Sequence, residues 1–107
     1  MATEDELVTL LGQVREGIAD VEASRARVED QISKVETSVV KLREQQAKAA
    51  ELRRPDLAEE AGRRIALAEI QVSALKSQLE QLRGQEQKLG EAAEHLQARI
   101  DAPQSVG

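Results

Sequence analysis

Few side chains in this 107-residue chain could do chemistry, and their spacing argues against it. His95 is the only histidine, and there is no cysteine. A lone imidazole without thiolate partners is a poor start for a metal site. Without cysteine, neither disulfides nor thiolate sites can form. The carboxylates mostly lie three or four residues from a Lys or Arg, as surface pairs on helices do. Exposed acids of that kind have no burial to tune them for acid–base work. No Gly-rich phosphate loop, nucleophile elbow or zinc spacing is present. The expectation is a non-enzymatic protein with no cofactor, no metal and no small-molecule substrate. Three groups of side chains stand out for contact rather than catalysis. They are the charged residues Arg25 and Glu86, the arginines Arg53, Arg54, Arg63 and Arg64 around Pro55, and the aliphatics Leu67 and Ile70.

Positioning those groups requires helices. An apolar stripe with 4-3 spacing runs through Leu7, Leu11, Val14, Ile18, Val21, Arg25, Val28, Ile32, Val35, Val39, Leu42, Gln46 and Ala49. It resumes through Ala58, Ala61, Ile65, Ala68, Val72, Leu75, Leu79, Leu82, Glu86, Leu89, Ala93, Leu96 and Ile100. A sustained stripe of this period is the signature of a coiled coil. The chain has no Phe, Tyr or Trp, only 2 prolines and 6 glycines, and is rich in good helix formers. A globular core normally draws volume from aromatics, whereas a two-helix seam does not need them. The predicted fold is all-α: a single long antiparallel two-helix coiled-coil hairpin over residues 1–107.

The boundaries are readable. Thr3 and Glu6 have capping-box spacing, and Glu4, Asp5 and Glu6 suit the positive end of a helix dipole. The first helix is expected over about 4–52 and a turn over about 53–55. Pro55 cannot sit inside a helix but is well placed to begin one. The second helix is expected over about 56–101, stopped by Pro103, with a frayed tail over 102–107. Near-equal halves and a short break favour folding back over one long kinked helix paired with another chain.

Folding about residues 53–55 brings Arg25 within about one layer of Glu86, the only charged residues on the stripes. They are expected to pair across the seam and fix its register; the alternative is an arginine that reaches past the seam to water. Near the turn the stripe is Ala49, Ala58, Ala61 and Ala68 around Gln46, which suggests a small, loosely filled end. Leu10, Val40, Leu67 and Ile70 lie off the stripe. Leu67 and Ile70, with Ala66 and Ala74, form a second face that reads either as an oligomer surface or as ordinary exposed aliphatics. The arginines at the turn read either as salt-bridged to Asp56, Glu59 and Glu60, or as a docking point for an acidic partner or anionic lipid.

Charge and hydropathy bound the partners. Twenty acids against 15 bases give a net charge of -5, interleaved as on solvated helix faces. There is no basic stripe for a phosphate backbone and no aromatic for base stacking, so nucleic acid is not expected. No apolar run approaches the roughly 20 residues of a membrane span. The acidic start, Met1 to Glu6, lacks the basic opening of a signal peptide. A cytoplasmic protein is expected, with a protein partner or self-association, and with any membrane contact peripheral to the inner membrane.

The turn also carries a resemblance. Arg53-Arg54-Pro55-Asp56-Leu57-Ala58-Glu59-Glu60-Ala61 resembles the hairpin turn of the phage shock protein A family, where the pattern is Gly-Arg-Glu-Asp-Leu-Ala followed by a helix. Arg54, Asp56, Leu57 and Ala58 match; Arg53 stands in the Gly position and Pro55 in the Glu position. The Ala-rich stretch Gln46 to Glu51 and the Gln-rich heptads Gln71 to Leu82 are similar as well. The likeness is to the family's central hairpin alone. Met1 to Leu11 lacks the aromatic and basic residues of the family's amphipathic membrane helix. The resemblance implies a scaffold or interaction role in membrane stress or its regulation. A free-standing hairpin that binds a partner outside membrane stress, as an adaptor or of the small secreted type, is the alternative. The secreted type turns at Trp-x-Gly, and this chain has no Trp.

Overall fold

The computed structural model describes residues 2–102 and is an all-α helical hairpin. Helix α1 spans Glu4–Glu51 and helix α2 spans Pro55–Asp101. Thr3 caps α1: its Oγ1 accepts from the Glu6 N–H at 3.2 Å, and its carbonyl accepts from the Leu7 N–H at 3.0 Å. The first turn carries Glu4, Asp5 and Glu6, which favour the positive end of the helix dipole. The expected stop at Pro103 and the tail to Gly107 lie outside the described residues.

The chain divides into two compact units, one of residues 26–80 and one of the terminal segments to Arg25 and from Gln81. We call them the turn unit and the terminal unit. In each, α1 and α2 segments pack antiparallel. In the turn unit, Glu36 pairs with Lys76 at 3.6 Å and Arg43 with Glu69 at 2.8 Å. In the terminal unit, Arg15 Nη2 donates to Gln97 Oε1 at 3.1 Å, and Arg25 meets Glu86. In both, the partner's number falls as the residue's number rises, which is the register of a folded-back hairpin.

Every stripe position named above is buried or half-buried, and every large aliphatic that is exposed lies off the stripe. The buried side chains are Leu7 and Leu11 in the terminal unit. In the turn unit they are Val28, Ile32, Ala49, Ala61, Ile65 and Leu79. Of the alanines near the turn, Ala49 and Ala61 are each only 7% exposed, while Ala58 and Ala68 are half-buried. Small side chains let two helices approach closely, and closeness excludes water as well as bulk does.

Candidate functional site

The turn is built by backbone hydrogen bonds that two adjacent helix ends share. The Arg54 N–H donates to the Ala49 carbonyl at 2.9 Å, and the Arg53 N–H donates to the Ala50 carbonyl at 3.1 Å. This is a Schellman closure of α1, with Arg53 in the left-handed region at φ 55°. A side chain there costs roughly 1 kcal/mol relative to Gly. Arg54 ends one helix and begins the next, since its carbonyl accepts from the Ala58 N–H at 3.1 Å. Pro55 then opens α2, where a missing N–H costs nothing. Leu52 lies beyond α1, one residue short of the expected boundary, because this closure takes over its C-terminal carbonyls.

Three of the four arginines at the turn pair locally. Arg54 grips Asp56 with Nε and Nη2, at 3.2 and 3.1 Å. Arg64 reaches Glu60 at 2.9 Å and Arg63 reaches Glu59 at 3.7 Å, both one turn apart. Arg53 makes no ion pair among the described residues and points from the most constrained backbone position. The Arg54 guanidinium holds the Asp56 carboxyl below the usual carboxylate range, helped by the Leu57 backbone N–H. The same contact raises Arg54 above its ordinary value.

Sequence reasoning missed the apolar part of this site. Leu52 and Leu57 bracket the turn and are 65% and 44% exposed. Between them lies an open concavity of about 340 Å³ lined by Ala49 and Ala61, with Lys48, Glu60 and Arg64 at its rim. The signal was present: both leucines flank the last stripe residues before and after Pro55, where the seam can no longer cover them.

In the terminal unit, Arg25 Nε is sealed from solvent and sits 2.9 Å from Glu86 Oε2. The contact is an ion pair rather than an aligned hydrogen bond, and both side chains are about one-third exposed. The turn unit has its own polar seam residue. Gln46 Nε2 donates to the Ala58 carbonyl at 3.5 Å, and a Cβ built on Gly62 would come within 3.1 Å of that nitrogen. Gly62 thus leaves the space that Gln46 occupies.

No protein-family model matches this chain, and no curated protein or solved structure is significantly similar to it. The likeness to the phage shock protein A family rests on the turn residues and on helix composition.

Leu67 and Ile70 lie on the α2 face opposite the seam, 68% and 67% exposed. His95 is exposed on α2. Among the described residues, no three His, Cys, Asp or Glu side chains are grouped to hold a metal ion, and no helix is long and apolar enough to cross a membrane.

Proposed function

We propose that this protein is a non-enzymatic, cytoplasmic interaction scaffold that presents the turn unit to other proteins. One observation carries the reading. The stripe side chains turn inward, buried or half-buried, yet Val40, Leu52, Leu57, Leu67 and Ile70 of the turn unit remain exposed. A side chain in the seam is spent on folding; these are free to be spent on contact. At the turn, Leu52 and Leu57 supply apolar area, and Lys48 and Arg53 supply positive charge. Such a surface suits an acidic segment with one or two aliphatic side chains. The resemblance at Arg54, Asp56, Leu57 and Ala58 supports a role like that of the phage shock protein A central hairpin, in membrane stress or its regulation.

The test is affinity capture with three baits: the wild-type chain, Arg53→Glu/Arg54→Glu, and Leu52→Ser/Leu57→Ser. The reading expects partners retained by the wild type and lost by both variants. If all three baits hold the same partners, the turn is not the docking point. Co-sedimentation with vesicles of anionic lipid separates a membrane role. Binding that survives moderate salt and is lost in the Leu52→Ser/Leu57→Ser variant would move the reading from protein to lipid.

A further inference from the structure

In the turn unit, α2 is apolar on two opposite faces. Its seam face carries Ile65, Ala68, Val72 and Leu75, all buried or half-buried. At 100° per residue, the opposite face carries Ala66, Leu67, Ile70, Ser73, Ala74 and Ser77. All six are exposed, and Leu67 and Ile70 are the most exposed large aliphatics among the described residues. From Ile65 to Leu75 the only charge is Glu69, which sits to the side of this face and is held at 2.8 Å by Arg43. In a chain that is 33% charged, three turns of uncharged outward face are not what a solvated helix needs.

We propose that this face binds the same face of a second copy, antiparallel and two-fold symmetric about Ile70. The pattern is self-complementary, which an isologous contact requires. Leu67 and Ala74 lie on the same flank, three residues before and four after Ile70. Reversing one helix therefore brings Leu67 of each copy over Ala74 of the other, to within about one residue's rise of 1.5 Å. Large meets small, the condition for interdigitated packing. On the other flank, Ala66 and Ser73 are small and allow close backbone approach. The charges agree as well: Arg63, which bounds the face, comes opposite Ser77 of the second copy, so no like charges are desolvated against each other. A different helix would need the same uncharged, alternating relief; the chain already carries it. Three turns offer less than the roughly 800 Å² per partner of a standard interface, so the dimer is weak. This inference goes beyond the reading above, because it requires neither the turn arginines nor an acidic partner.

The experiment is sedimentation equilibrium from low micromolar to roughly millimolar protein, with absorbance read at the peptide band because the chain has no Trp or Tyr. The wild type is expected to show a reversible monomer–dimer equilibrium. Ile70→Glu places two carboxylates at the axis and is expected to weaken the dimer at least about tenfold, with helix content by circular dichroism unchanged because Ile70 faces away from the seam. The absence of native cysteine allows a second readout. In a glutathione redox buffer, an Ile70→Cys variant is expected to form a disulfide-linked dimer well ahead of a Val40→Cys control. A wild type that stays monomeric throughout, a dimer indifferent to Ile70→Glu, or equal cross-linking of the two cysteine variants would each overturn the proposal. So would a dimer lost only in Arg53→Glu/Arg54→Glu, which would place self-contact at the turn.

Discussion

In the turn unit, Val28, Ile32, Ala49, Ala61, Ile65 and Leu79 are buried; in the terminal unit, among the described residues, only Leu7 and Leu11 are. Both units use the same seven-residue stripe, so the difference lies in what covers it. The turn unit is closed by a Schellman turn and bridged by the Arg43–Glu69 and Glu36–Lys76 pairs. The terminal unit carries an Arg25–Glu86 layer about one-third exposed, and Gly12, Gly84 and Gly90 have open space where a side chain would sit. A heptad stripe sets which residues face inward, while the depth of their burial differs along it. The turn unit also leaves more large aliphatic side chains exposed, which is why the proposed contact is placed there.

The largest expected effect tests the burial difference itself. Ile32→Ala in the turn unit should cost roughly 2–3 kcal/mol, the low end for a core truncation, since a two-helix seam can partly collapse. Ile100→Ala, at a half-buried position, should cost about 1 kcal/mol. Urea unfolding followed by circular dichroism measures both, and equal costs would erase the distinction between the units.

A smaller effect probes what the charged layer does. Arg25→Glu and Glu86→Arg should each destabilise by roughly 1–2 kcal/mol, between the values for exposed and buried pairs. The double variant should recover most of the loss. If it recovers none, the pair does not fix the register.

Glycine replacement sharpens the comparison from the other side. Gly12→Ala, Gly84→Ala and Gly90→Ala should each stabilise by about 0.5–1 kcal/mol, because nothing lies near the added methyl. Gly62→Ala should gain less, since the methyl would push Gln46 off the Ala58 carbonyl. At the turn, Arg53→Gly should stabilise by roughly 1 kcal/mol through relief of the left-handed backbone. Thermal melting of the set ranks these positions.

The smallest effect is a pH dependence at the turn. Asp56 is held below the ordinary carboxylate range by Arg54, so the unfolded chain takes up that proton first as pH falls. Its stabilising contribution is complete above the unfolded value and is lost as pH drops through the folded one. Asp56→Asn should remove that part of the acid sensitivity, read as the difference in melting temperature between about pH 6 and about pH 2.

The helices were legible because a 4-3 stripe and Pro55 leave few other ways to bury apolar area. The proximity of Arg25 and Glu86 followed from the same arithmetic, since a fold at a known turn fixes the facing layers. The exposure of Leu52 and Leu57 did not follow, because it depends on where the Schellman closure frees the chain from the helix, and Arg53 does not announce a left-handed residue as Gly would. Nor did the burial of Ala49 and Ala61. Stripe reading counts side-chain volume, and burial depends as well on how closely the facing helix approaches.

The measurement that most directly tests the assignment of contact to residues 26–80 is a dilution series of isotope-labelled protein by amide NMR. The account predicts concentration-dependent shifts confined to the outward face of α2 between Arg63 and Ser77, with residues 2–25 and 81–102 unmoved. Shifts centred on the terminal unit, or none up to roughly millimolar protein, would contradict it.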